Sequence, residues 1–316
     1  MKSNYFFMLL AVASVLFACQ TTEKKLTIGF VQITDDPALN LAKDGVFRAL
    51  ADSGFKDGEK IKILNHNAHG DLSMIPTIIQ TLLTQNVDMI ITNSTPCMAA
   101  AAQLVKDRPI VFTVSFSPQQ IGIKGELNNV FGVYDTIKAN EFTNLLIECI
   151  PGLKRIGIPY NNAEINAEYS VETLSKEFTK RGIDIVTAPV NNVNDLTMAA
   201  QYLLTKDIDV FVASADNTVY LGLPVLVKLA IENKTPVFTT DPIQIQKGAA
   251  LGLGINYETW GYLSGLKAVE ILKGRIPANR ITIIPSYQLG INLQSCVGMG
   301  LTVPESVIAR SDYTIK

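Results

Sequence analysis

The residues able to do chemistry in this 316-residue chain are short polar groups that follow apolar β-type runs. Thr34-Asp35-Asp36, Asn93-Ser94-Thr95, Thr113 and Ser115 come first; Tyr160-Asn161, Ser214, Asp216-Asn217-Thr218 and Thr240-Asp241 follow in the second half. Hydroxyls, amides and carboxylates of this kind hold a small polar molecule; they do not by themselves make a nucleophile with its base. Thr95 followed by Pro96 suits a helix N-cap and first turn, which serves either as a plain cap or as a seat for an anion such as a carboxylate. A ligand bearing an ammonium group would need a facing acid, and Asp216 and Glu164 are the candidates, although both also suit simple capping at helix starts. Flat apolar walls are available from Phe116, Tyr134, Tyr160, Trp260 and Tyr262, most of which core packing alone would explain.

Catalytic signatures are missing. There is no G-x-S-x-G, no G-x-x-x-x-G-K-[ST] and no G-x-G-x-x-G after a strand, so no enzyme activity and no cofactor are expected. His66 and His69 form an H-x-x-H, but strand and loop placement separates them and further ligands are lacking, so no metal is expected either. A formal net charge of −2 offers nothing to nucleic acid. Cys97, Cys149 and Cys296 are widely spaced and suit buried free thiols.

The elements that must position the polar groups are read from periodicity. Strand-type runs at Leu26–Ile33, Ile61–Asn67, Asp88–Thr92 and Ile110–Phe112 alternate with helical stripes such as Leu39, Ala42, Val46, Ala49 and Leu50. After Val130–Tyr134 the pattern restarts, with strands at Arg155–Tyr160, Ile183–Ala188, Asp209–Ala213 and Pro236–Phe238 and helices near 164–181, 194–205 and 218–233. A strand at Ala250–Gly254, a helix from Tyr257 to Lys273 and a strand at Ile281–Ile284 complete it. The expectation is an α/β protein of two Rossmann-like lobes with parallel sheets, residues 26–134 plus 257–285 and residues 135–256 plus 286–316, joined by a hinge of three crossovers. In such sheets ligands bind beyond the carboxyl ends of the strands, where the polar groups lie.

The N-terminus has the layout of an exported lipoprotein: Lys2, an apolar run from Phe6 to Ala18, then Leu16-Phe17-Ala18-Cys19. Residues 1–18 read as the signal, Cys19 as the lipidated residue and residues 19–25 as a polar tether. The run is too short for a spanning helix.

From Leu26 to about Pro304 the chain resembles the substrate-binding lipoproteins of ABC transporters that include tryptophan- and tyrosine-binding members, with the type I periplasmic-binding fold. The segments that carry the resemblance are Asp36-Pro37-Ala38-Leu39, Asn67-Ala68-His69-Gly70-Asp71, Thr95-Pro96, Asn129-Val130-Phe131-Gly132-Val133, Tyr160-Asn161 with Glu164 and Asn166, Asp216-Asn217-Thr218-Val219 and Ile271-Leu272-Lys273-Gly274. It implies a monomer that captures a small ligand, an amino acid and in particular an aromatic one, by hinge closure. It implies as partners an ABC permease and ATPase, and the membrane through the lipid. The implied location is the extracytoplasmic side of a bacterial membrane, in the periplasm or on the cell surface. It tips Thr95 and its neighbours from capping toward binding, and gives a site of Asp36, Pro37, Ala68, Ser94, Thr95, Pro96, Thr113, Ser115, Tyr134, Tyr160, Glu164, Asn166, Asp216, Asn217, Thr240 and Asp241. Ser117-Pro118, Asn162-Ala163 and Ala167 depart from the family pattern of Asp-Pro, Pro-Gly and Ser, which leaves a nucleoside, a sugar or a sensing role as alternatives. A transcriptional regulator of the same fold would begin with a helix-turn-helix, which this chain does not.

Overall fold

The computed structural model describes residues 25–316 apart from positions 126 and 286, so the signal, Cys19 and nearly all of the tether lie outside the described residues. The first half of the chain lays down β1 (Leu26–Gln32), α1 (Pro37–Asp52), β2 (Ile61–Asn67), α2 (Met74–Thr84), β3 (Met89–Asn93), α3 (Thr95–Leu104), β4 (Ile110–Phe116) and β5 (Val130–Asp135). The second half repeats the alternation with α4 (Ala139–Cys149), β6 (Arg155–Tyr160), α5 (Ile165–Lys180), β7 (Asp184–Pro189), α6 (Leu196–Leu204), β8 (Val210–Ala213), α7 (Asn217–Leu221), α8 (Leu223–Glu232), β9 (Val237–Thr239) and β10 (Leu251–Gly254). The chain then returns with α9 (Tyr257–Leu272) and β11 (Ile281–Ile283), and ends with β12 (Gln288–Asn292), α10 (Leu293–Gly298), α11 (Glu305–Ala309) and β13 (Tyr313–Ile315).

Two sheets result. The first has the order β11-β5-β4-β3-β1-β2 and is parallel throughout; the second has the order β13-β12-β10-β9-β8-β6-β7. The chain passes between them after β5, after β10 and after β11. The central strands are covered on both faces by helices, which is why β3 and β8 are buried at every residue; β8 reads as an unbroken apolar run, and β3 is apolar up to Thr92-Asn93 at its carboxyl end.

Helix α9 closes on α1 with backbone against backbone. A Cβ on Gly261 would stand 1.8 Å from the Ala42 carbonyl oxygen, and one on Gly45 would stand 2.3 Å from the Glu258 carbonyl oxygen. Only glycine fits at these two positions, and their contact ties the returning segment to the first sheet.

Three expectations need correction. The second sheet is mixed, because β12 runs antiparallel to β10. The helix expected over 218–233 is two, α7 and α8, parted at Gly222; a side chain there would meet Val193 and Leu196 at 2.9 Å, and Pro224 then opens α8 without a backbone N–H. Strand β4 runs four residues beyond Phe112, through a bulge at which the register with β5 shifts. Helix α4 and the elements after β11 were not expected at all.

Candidate functional site

Polar groups from the carboxyl ends of strands in both sheets meet around one cavity of about 810 Å³, part of it open to solvent. On the side of the first sheet, Asp36 caps α1 by accepting the Ala38 N–H at 2.9 Å. Ser94 sits at φ 120°, a strained conformation for a residue with a Cβ, and its side chain does not cap α3. The first N–H groups of α3 are thus left for another acceptor. In β4, Val114 takes φ 49°, an outlier for a β-branched residue, and the bulge it forms turns Ser115 and Phe116 to the cavity.

On the other side, Asp216 caps α7, accepting from the Val219 N–H at 2.9 Å and the Asn161 N–H at 2.6 Å. Burial holds its carboxyl well above the usual range, with the nearby Glu164 adding to the effect and the Asn161, Val219 and Thr218 N–H groups opposing it. Asn166 donates through Nδ2 to Glu164 and to the Ala215 carbonyl, which fixes the amide and leaves Oδ1 without a partner. Ser94 Oγ is likewise buried and unpartnered. These two unsatisfied atoms come from opposite lobes and line the same cavity.

Thr240 and Asp241 line the cavity beside Tyr220, whose hydroxyl lies 3.1 Å from Thr240 Oγ1. Asp241 accepts from the Ile243 N–H at 2.9 Å and from Gln244 Nε2 at 2.8 Å; burial, then the neighbouring Asp36, pushes its carboxyl up to about 7. Lys247 pairs with Asp36 across the gap between the lobes and donates to the Tyr220 carbonyl at 2.7 Å. Phe116 on one lobe and Tyr169 on the other face each other at 4.6 Å between ring centroids, and Gln120 donates to the Tyr169 hydroxyl at 2.9 Å.

Of the expected residues, Asp36, Ser94, Thr95, Ser115, Asn166, Asp216, Asn217, Thr240 and Asp241 line the cavity. Pro37 and Pro96 stand in the first turns of α1 and α3, Ala68 is buried after β2, and Thr113 is buried in β4 with an unpartnered Oγ1. Tyr134 on β5 and Tyr160 on β6 are not among the lining residues. Glu164 lies behind the wall, on a separate, more open groove, with its carboxylate taken up by the Asn217 and Thr218 N–H groups, the Thr218 hydroxyl and the side-chain amides of Asn166 and Asn217. Of the expected aromatics, Phe116 and Trp260 line the cavity, the latter with its indole N–H donated to the Val133 carbonyl at 2.6 Å. Tyr262 instead carries the Arg48 guanidinium over its ring at 5.0 Å.

Many of the lining residues that sequence reasoning missed lie at or near the crossovers: Asp135 at the end of β5, Ile137 and Lys138 after it, Phe142 on α4, Tyr257 on α9, and Tyr287 after β11. Tyr287 ties two crossovers together by donating to Asp135 Oδ1 at 2.6 Å. Burial pushes the Asp135 carboxyl up to about 7, against the pull of the Tyr287 hydroxyl, the Thr136 N–H and Lys138. Among the described residues no group of three or more His, Cys, Asp or Glu side chains is placed to hold a metal ion. Cys97, Cys149 and Cys296 are buried and unpaired.

Two lobes joined by three crossovers turn their strand ends to a shared cavity, the arrangement of the type I periplasmic-binding fold. Residues 27–315 match the family described as ABC transporter substrate binding protein, and the chain belongs to that family. A tyrosine-binding protein from Clostridioides difficile (strain R20291) is 32% identical over 80% of this chain and 74% of its own length. Among solved structures, a domain from Streptococcus pneumonia in complex with L-Trp superposes with a TM-score of 0.86 at 26% identity, covering 92% of this chain and 100% of that one. The ligand-free, open structure of a substrate binding protein from Clostridium difficile, with the same coverage, gives 0.66 at 31% identity. Of these two structures, the nearer in sequence is thus the poorer match in shape. Substrate-binding proteins of ABC importers work outside the cytoplasm, and among the described residues no helix is long and apolar enough to cross a membrane.

Proposed function

We propose that this protein is a lipoprotein, anchored through Cys19 on the extracytoplasmic face of the membrane, that captures an aromatic amino acid as a monomer and delivers it to an ABC permease and its ATPase. The observation that carries the ligand assignment is the pair of buried, unpartnered acceptor and hydroxyl atoms, Asn166 Oδ1 and Ser94 Oγ, that face one cavity from opposite lobes. Ser94 and the N–H of Thr95 at the start of α3 hold the ligand carboxylate, where the helix dipole favours negative charge. Asn166 Oδ1 and Asp216 hold the ammonium. Phe116, Tyr257, Trp260 and Tyr287 wall the side chain. Residues 26–134 with 257–285 form one closing body and residues 135–256 with 286–316 the other, so a ligand gripped by both stabilises the closed state. The tyrosine-binding relative and the L-Trp complex support the aromatic class.

A thermal-shift screen of the twenty amino acids with nucleosides and small sugars tests this reading. L-Tyr or L-Trp raising the melting temperature most is the expected result; a shift given only by a nucleoside or a sugar rejects the amino-acid assignment. Palmitate labelling of the full-length protein in its native host, lost in Cys19→Ala, tests the anchor.

A further inference from the structure

Four aspartates line the ligand cavity, and their hydrogen bonding separates one from the rest. Asp36 accepts from the Ala38 N–H on Oδ1 and pairs with Lys247 on Oδ2. Asp216 accepts a backbone N–H on each oxygen, from Val219 and Asn161. Asp241 accepts from the Ile243 N–H on one oxygen and Gln244 on the other. Asp135 differs: the Thr136 N–H and the Tyr287 hydroxyl, both at 2.6 Å, converge on Oδ1, and Oδ2 has no partner among the described residues. Lys138 attracts the carboxylate from a distance but does not occupy Oδ2: its ammonium stands over the Tyr287 ring at 5.4 Å from the centroid and makes no ion pair with Asp135. A carboxylate oxygen of a half-buried residue on the cavity wall is thus free to accept one hydrogen bond.

The position of Asp135 decides which part of a ligand reaches it. It ends β5, in register with Phe116 of β4, whereas Ser94 follows β3 on the far side of β4. Two strand spacings separate them, about 10 Å. The carboxylate and ammonium of an α-amino acid hang on one carbon and lie within about 3 Å of each other, so a ligand anchored at Ser94 and Asn166 cannot also present its ammonium to Asp135. A phenol oxygen or indole nitrogen extends roughly 5 to 6 Å beyond that carbon, toward the crossovers where Asp135, Tyr257 and Tyr287 sit.

We propose that Asp135 is a specificity-determining residue, which through Oδ2 accepts a hydrogen bond from an O–H or N–H donor on the ligand's side chain and so selects tyrosine or tryptophan over phenylalanine. This rests on the amino-acid reading above and goes beyond it to the side chain. A buried acceptor left unpaired by a ligand that lacks the donor is costly, so phenylalanine loses more than its missing atom alone would cost.

The test is calorimetry of L-Tyr, L-Trp and L-Phe with the wild-type protein and Asp135→Ala. The wild type binds the better of L-Tyr and L-Trp tighter than L-Phe by on the order of 100-fold or more. Asp135→Ala brings that ratio below about 5. L-Phe binding to the wild type within about 5-fold of the other two overturns the inference without any variant, as does an Asp135→Ala protein that folds and retains the full ratio. Binding of aromatic amino acids without discrimination sinks this inference alone; no binding of any amino acid sinks the amino-acid reading with it.

Discussion

At the residue scale, the cavity combines groups that are saturated by the fold with groups that are not. Asp216 belongs to the first kind as a cap and to the ligand as a charge, so Asp216→Ala removes both. We expect it to lower stability by about 1–2 kcal/mol, as lost caps do, in chemical denaturation. It also weakens ligand binding at least 10-fold in calorimetry, whereas Asn166→Ala weakens binding with a smaller stability loss; unchanged affinity in both would remove the ammonium site. Asp135 and Asp241, each raised to about 7 from 3.8, bear on pH dependence. A carboxyl with a raised folded-state pKa contributes stability that is complete below about pH 4 and is lost as the pH climbs through 7. The ligand-free protein is therefore expected to melt higher at pH 5 than at pH 8, and Asp241→Asn to flatten the difference. A wild-type melting temperature that rises over this range contradicts the assignment.

At the element scale, the returning helix α9 is held by glycine contacts that admit no side chain. Gly261→Val drives a methyl-bearing side chain into the α1 backbone at Ala42, so a loss of 3 kcal/mol or more, or failure to fold, is expected in urea denaturation; a change under about 1 kcal/mol would mean that the two helices part easily. The sequence was legible to the residue at Ile61–Asn67 and Arg155–Tyr160, which match β2 and β6 at both ends, although β6 is a largely buried inner strand and β2 an edge strand with only Ile61 buried. Helix α4 went unread although its buried Phe142, Leu145, Leu146 and Cys149 keep the i, i+3, i+4, i+7 helical spacing; what it lacks is a start signal, since Lys138 precedes it and makes no side-chain cap bond. The antiparallel direction of β12 has no local signature, since direction is set by where the chain re-enters the sheet. The strand-end residues of the site could be read because polarity after an apolar run is visible in one dimension. Asp135, which ends β5, carries the same signal and was overlooked; Lys138 and Tyr287 could not be read, because they face the cavity from crossovers whose path only the folded hinge defines. Glu164 was legible as an acid at a helix start, but not its five hydrogen bonds to residues 166–218, which come from loop packing.

At the scale of the whole molecule, closure is stabilised by contacts the ligand does not make. The pair of Asp36 and Lys247, with side chains 5% and 17% exposed, joins the lobes, and Phe116 against Tyr169 adds an apolar bridge. Breaking a mostly buried pair leaves an uncompensated charge. Lys247→Met is expected to open the lobes, seen as a larger radius of gyration in small-angle scattering without ligand. It should also weaken the apparent affinity about 10-fold or more, because the ligand must then drive closure unaided. Equal scattering from the two proteins would show that the pair contributes nothing to closure.

The most direct measurement is a crystal structure of the protein grown with L-tyrosine. The account predicts the ligand between the lobes, its carboxylate about 3 Å from the Thr95 N–H and Ser94 Oγ, its ammonium at the same distance from Asn166 Oδ1, and its ring toward the crossovers. A tyrosine bound to one lobe alone, or lying outside this cavity, would contradict it.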